Sequence, residues 1–228
     1  MKEITFLIPC LNEAESLEFC IREVQSAIDR LGLNAEIVVA DNGSTDGSQD
    51  IAAKCGARVV SVEKKGYGAA LLGGIAAAEG RYVIMGDGDG SYDFANPDLF
   101  IEKLRNGSAL VVGDRFRGGI EKGAMPFSHK LGVPILSTLA RWKFRTDVRD
   151  FHCGLRGFDR ETALSLGLCC EGMEFATEMI AAFAALGSKI SQVPTPLRPD
   201  RRSGKPHLRT VRDGFRHLHF IMTHKPKQ

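Results

Sequence analysis

Apolar positions along this chain follow two rhythms. Short apolar-rich runs at 4–9, 36–40, 57–62 and 82–85 have the length and β-branched content of buried strands. Between them, apolar residues recur at helical spacing. The clearest helix spans 14–31, where Leu17, Cys20, Ile21, Val24, Ala27, Ile28 and Leu31 share one face. A second is predicted over 47–54, capped by Thr45 or Asp46, and a third, rich in small residues, over 69–78. Strand–helix alternation of this kind predicts an α/β fold with a mostly parallel sheet and right-handed crossovers. The second half is less regular. It carries predicted strands at 109–112 and 189–193 and an extended stretch at 150–158. Helices are predicted at 127–144, kinked or interrupted at Pro134, and at 173–186 and 211–221. No composition break marks a linker, so one domain over 1–228 is expected.

The fourth run, Tyr82 to Met85, ends in Gly86-Asp87-Gly88-Asp89-Gly90. That places two carboxylates on a Gly-rich turn at the carboxyl end of a strand, where open α/β sheets bind ligands. Hard cations such as Mg²⁺ or Mn²⁺ take oxygen ligands, with substrate phosphates completing the shell. The stretch reads as a platform for a metal and a diphosphate. Three other readings compete: a plain Asp/Gly turn, a Ca²⁺ loop of EF-hand spacing, and a dinucleotide loop. The Ca²⁺ loop needs Gly where Tyr92 stands, and an entering helix where a strand is predicted. The paired Asp residues argue against a dinucleotide loop. A G-x-G-x-x-G fingerprint is missing after the first strand, and so is a Gly-Lys-Ser/Thr phosphate loop.

Composition narrows the class. The 228 residues are 43% hydrophobic and 25% charged, ordinary for a soluble globular protein, and the net charge of +2 is too small to point to nucleic acid. Six cysteines form no C-x-x-C pair and no zinc-like spacing with His, so buried thiols in a reducing compartment are expected. The N-terminal apolar run is too short for a signal peptide, and no transmembrane stretch is evident. The expected location is the cytoplasm, with peripheral attachment to a membrane as an extension. The region after Arg198 is basic, and its last helix has an apolar side expected to dock on the body rather than on lipid.

Eight segments, in order, resemble family 2 glycosyltransferases of the GT-A fold, and among them the dolichol-phosphate-mannose-synthase-like branch. LIPCLNEAESL resembles that family's P-x-x-N-E motif, ADNGSTDGS its D-D-G-S-x-D-G, KKGYGAALLGGI its Gly-rich segment and GDGD its D-x-D metal motif. GDRFRGG resembles an S-R-F segment, DFHCGLRGF the D-x-x-S/C-G-x-R motif, GMEFATEM the acidic helix and RRSGKPHLRT the R-x-G-x-S-K loop. The chain departs from the pattern at Asn42, where the family has Asp, and at Pro206-His207, where it has Ser-Lys.

The resemblance implies a Rossmann-like central sheet flanked by helices, with a nucleotide-sugar half over 1–115 and a smaller acceptor half over 116–228. It implies an inverting hexosyltransferase that takes its sugar from a GDP- or UDP-sugar with the help of Mg²⁺ or Mn²⁺. The implied donor site is Pro9, Leu11, Asn12, Glu13, Asp41, Gly43, Lys65, Gly66 and Asp87, with Asp87 and Asp89 at the metal. Arg115, Lys130, Arg202 and Lys205 are the implied cations for an acceptor phosphate. Asp89, Arg115, Asp150 and Glu178 are the catalytic candidates, Asp150 or Glu178 being the base if the acceptor is an alcohol. The expected acceptor is a polyprenyl phosphate. A soluble alcohol, peptide or metabolite is the alternative, and a silent nucleotide-sugar or Ca²⁺-binding module is a third reading.

Overall fold

The structure, a computed structural model, describes residues 2–202 and 210–224. The first half lays down four strands, β1 (Lys2–Cys10), β2 (Ala35–Asp41), β3 (Arg58–Ser61) and β4 (Gly80–Met85). Between them run three helices, α1 (Leu17–Leu31), α2 (Ser48–Lys54) and α3 (Tyr67–Ala77). There follow α4 (Asp98–Arg105), β5 (Leu110–Asp114), α5 (Arg115–Gly118), α6 (Phe127–Phe144), β6 (Arg156–Asp159), α7 (Arg160–Ser165), α8 (Phe175–Ala185), β7 (Ile190–Pro194) and α9 (Thr210–Thr223).

All seven strands join one sheet in the order β3-β2-β1-β4-β6-β5-β7. β1 to β4 pair in parallel and β7 runs parallel to β5, while β6 is antiparallel to both of its neighbours. The expected mostly parallel sheet flanked by helices is therefore present.

Local chemistry explains the elements. α1 buries Leu17, Cys20, Ile21, Val24 and Ala27 and stops at Gly32, whose left-handed φ of 59° a side chain would resist. α3 lies close on the sheet because Gly74 faces the side chains of Leu7 and Ala40, leaving no room for a Cβ. The sheet's inner positions, among them Phe6, Ile8, Val38, Val83, Ile84 and Val111, are fully buried.

Two expectations change. α6 is not interrupted at Pro134: one helix spans Phe127–Phe144 and gives up there the backbone hydrogen bond that a proline nitrogen cannot donate. Of the stretch 150–158, only the end enters a strand. The Asp150 carboxylate accepts from His152 N, and Gly154 N donates to the Tyr92 hydroxyl, which folds 150–155 into turns. Cys10, Cys20, Cys55 and Cys153 are buried free thiols.

Candidate active site

Parallel registry gathers the loops. Cys10 sits level with Asp41 and Met85 with Leu7, so the turns after β1, β2 and β4 emerge at one edge. Pro9 is buried within β1, and Leu11 lies exposed just beyond it. Asn12 takes a positive φ of 57°. Its N–H donates to Ser44 Oγ (2.9 Å) and its Oδ1 accepts from Thr45 N (2.8 Å), which ties the first turn to the second. Glu13 N donates to Ser48 Oγ at 2.9 Å, and Ser16 Oγ donates to the Gly88 carbonyl at 2.7 Å, which fixes the acidic turn against the same loop.

Asp41 is buried at the end of β2 and accepts from Gly43 N (2.9 Å), Ser44 N and Gln49 Nε2 (2.6 Å). Burial alone would push its carboxyl up. The hydrogen bonds from Ser44, Gly43 and Gln49 outweigh it and hold the group below the usual range. Asn42 spans two loops: its amide donates to the carbonyls of Val62 (2.9 Å) and Lys64 (2.7 Å), and its Oδ1 accepts from Gly66 N (2.8 Å). Lys65 is exposed and donates to the Asn42 carbonyl at 2.6 Å, its ammonium passing over Gly43.

The acidic turn holds the densest charge. Asp87 Oδ1 accepts from the Tyr67 hydroxyl at 2.9 Å. Burial and then the neighbouring Asp89 raise its carboxyl to about 6, against Tyr67, Arg115 and Arg202, which lower it. Across from it, Arg202 donates to Glu13 Oε1 at 2.8 Å and to both oxygens of Asp200, and lies 3.7 Å from Asp89. Glu13 is pushed up to about 8, chiefly by burial. Arg202 opposes that shift, and Asp89, Asp87 and Asp200 add to it. Three carboxylates, those of Glu13, Asp89 and Asp200, thus surround the Arg202 guanidinium, and Asp87 adds a fourth to the cluster beside Asp89. That excess of negative charge on hard oxygen donors fits a divalent cation. Among the described residues no three acidic, His or Cys side chains converge as an ion cage. An ion here would take one or two protein oxygens, with phosphate and water supplying the rest.

A second cation faces the same turn. Arg115 opens α5, and its Nε and an Nη donate to the two oxygens of Asp150 at 2.6 and 2.8 Å. Asp150 has no exposed surface and also accepts from the backbone N–H of Arg115 and His152. Arg156 is equally buried and donates to three carbonyls, those of Cys153, Ala176 and Phe151, so Asp150 holds Arg115 and not Arg156. Glu178, on α8, turns its carboxylate to the N–H groups of Cys169 and Cys170. The adjoining Glu171 carbonyl accepts from Ala69 N, so Glu178 steadies the loop that backs the start of α3.

The structure therefore brings together Pro9, Leu11, Asn12, Glu13, Asp41, Gly43, Lys65, Gly66, Asp87, Asp89 and Arg202, which stands against Glu13, Asp89 and Asp200. Arg115 with Asp150 lies beside them. Glu178 stands behind the site, Lys130 is exposed on α6, and Lys205 lies outside the described residues. Neither candidate base is an open carboxylate, because backbone N–H groups and Arg115 already occupy both. Sequence reasoning missed Tyr67, Ser16 and the bridging role of Asn42. Tyr67 stands in the quoted Gly-rich segment, but nothing in its spacing signals Asp87, 20 positions later.

Residues 5–165 match the family model described as Glycosyl transferase family 2. The low-salt glycan biosynthesis hexosyltransferase Agl6 of Haloferax volcanii is 35% identical over 225 residues, which cover 98% of this chain and 54% of that protein. The chain thus spans about half the length of Agl6. A dolichyl-phosphate hexose transferase of the same organism is 31% identical over 191 residues, covering 84% of this chain and 82% of that one. Among solved structures, glucosyl-3-phosphoglycerate synthase from Mycobacterium tuberculosis, in complex with Mn²⁺, uridine diphosphate and glucosyl-3-phosphoglycerate, superposes with a TM-score of 0.69 at 25% identity. That match covers 97% of this chain and 77% of the other.

Proposed function

Because this chain belongs to glycosyl transferase family 2, we propose that it transfers a hexose from a nucleoside-diphosphate sugar to the phosphate of a polyprenyl lipid, with inversion at the anomeric carbon. Pro9, Leu11, Asn12, Glu13, Asp41 and Gly43 hold the nucleoside, and Lys65 with the Gly66 backbone faces the diphosphate. Asp87 and Asp89 hold Mg²⁺ or Mn²⁺, which when bound supplies positive charge to the departing diphosphate. Arg202 belongs to this donor side. Arg115, locked by Asp150, presents its remaining N–H groups to the acceptor phosphate, and Lys130 adds charge around it. A phosphate oxygen attacks the anomeric carbon as the bond to the diphosphate breaks, and the nucleoside diphosphate leaves.

One observation carries the choice of acceptor. Asp150 and Glu178 are buried and engaged, while Arg115 acts on Asp87 across the site. An alcohol needs a group to take its proton; an anionic phosphate needs only cations to hold it. The relative named as a dolichyl-phosphate hexose transferase supports this reading. The phosphoglycerate synthase supports a second one, a small phosphorylated acceptor. Among the described residues no helix is long and apolar enough to cross a membrane. Work at the cytoplasmic surface of a membrane fits a lipid acceptor.

Mass spectrometry of reactions containing UDP- or GDP-hexose, Mn²⁺ and citronellyl phosphate tests the proposal. Sugar-phosphate-prenyl product is expected, and it should be lost with Arg115→Ala and weakened with Arg115→Lys. Transfer to 3-phosphoglycerate alone would overturn the lipid acceptor.

A further inference from the structure

α6 turns one face away from the body. Ser137, Ala140 and Phe144 are its buried positions, and Phe144 packs on Phe151 and on Phe220 of α9. The opposite face carries Phe127, Leu131, Ile135, Leu139 and Trp142. All five are exposed: Phe127 by 75%, Ile135 by 62% and Trp142 by 82%. At 3.6 residues per turn they fall within an arc of about 120°. Single exposed apolar side chains are common, but a continuous stripe along a whole helix marks an interaction surface.

Its borders identify the partner. On the same helical wheel Lys130 and Arg141 flank one side of the stripe and Lys143 the other, with Arg145 just past the helix end. Positions 122–146 contain no Asp or Glu. Beside the last turn an open groove of about 460 Å³ is lined by Thr138, Arg141, Trp142, Arg145, Thr146 and Asp147. Arg141 Nε is buried there without a protein partner. An aromatic tip, an apolar stripe and basic edges form the pattern of a helix lying in a lipid interface, where long basic side chains reach the headgroups.

We propose that this face of α6 docks on an anionic lipid bilayer, its stripe at the acyl boundary and its Lys and Arg residues on headgroup phosphates. The proposal deepens the lipid-acceptor reading and rests on it. The first turn of α6 adjoins the acceptor corner, since the Arg115 charge acts on His129.

Trp142 is the chain's single tryptophan and reports on its own burial. With vesicles of phosphatidylcholine and phosphatidylglycerol, its emission should shift to the blue, brominated lipids should quench it, and the protein should sediment with the vesicles. Added salt should weaken the binding. The double variant Ile135→Glu with Leu139→Glu should partition about tenfold less while keeping its thermal midpoint, since both positions are exposed. Unchanged emission with the protein left in the supernatant overturns the proposal. So does equal binding to pure phosphatidylcholine. A blue shift that grows with protein concentration and needs no lipid would assign the face to a second copy and overturn it as well. Citronellyl phosphate separates the two readings. Transfer to it without vesicle binding sinks the docking alone, and vesicle binding without transfer to any prenyl phosphate sinks the acceptor reading alone.

Discussion

Asp150→Asn distinguishes a carboxylate that holds a cation from one that takes a proton. The change keeps the side chain's size and removes its charge. In the structure Asp150 accepts two bonds from the Arg115 guanidinium and two from backbone N–H groups, and the pair is buried, with Arg115 only 8% exposed. Breaking such a pair leaves an uncompensated buried charge, which costs about 3–5 kcal/mol. Because Asn retains one acceptor oxygen, the lower end, about 3 kcal/mol, applies. For a chain of this size 1 kcal/mol shifts the melting midpoint by about 2–4 °C, so a drop of about 6–12 °C is expected by calorimetry. Arg115→Met combined with Asp150→Asn removes both charges and should recover part of that loss, giving a positive coupling in a double-mutant cycle. In turnover, KM for the acceptor phosphate should rise more than kcat falls. A midpoint within about 2 °C of the parent, together with an abolished kcat that alkaline pH restores, would refute the positioning role and return Asp150 to acid–base chemistry.

Three further perturbations test other parts of the site. Asn42→Asp should destabilise the protein by about 2–3 kcal/mol in urea unfolding, because a carboxylate would face the carbonyls of Val62 and Lys64 that the amide now satisfies. Asp89→Asn should leave the melting midpoint nearly unchanged while weakening Mn²⁺-dependent UDP binding in calorimetry at least about tenfold. Glu36 is held below its ordinary pKa: burial alone would raise it, and bonds from Thr5, Arg58 and Glu79 N outweigh that. A depressed carboxyl stabilises the fold above its unfolded pKa of 4.5 and loses that contribution as pH falls through the folded value. Acid unfolding of Glu36→Gln should therefore show a flatter slope below about pH 4.5 than the parent.

Much of the fold was legible because β1 to β4 and α1 to α3 each satisfy one local rule, a buried run or a single apolar face. α7 was missed although Asp159 caps it by accepting from Thr162 N at 2.9 Å, a signal readable as D-x-x-T. α4 was missed because its apolar face is only Phe100, Ile101 and Leu104 over eight residues. In the site, the acids were visible from their place at the carboxyl ends of predicted strands, where open α/β sheets bind ligands. The partners were not. Whether Asp150 meets Arg115 or Arg156 is decided by how the 150–155 turn closes on Tyr92, a tertiary contact with no period in the sequence. The pairing of Arg202 with Glu13 was invisible for the same reason: the two lie 189 positions apart.

β6 lies between β4 and β5, yet it is made last of the three. On the ribosome, the hydrogen-bonding edge of β4 stays unfilled until 156–159 have left the exit tunnel. A nascent chain that already holds β1 to β4 therefore carries an open β edge beneath a row of acids, a species suited to mispairing and to chaperone capture. Ribosome-stalled fragments ending before and after that strand should differ sharply in protease resistance.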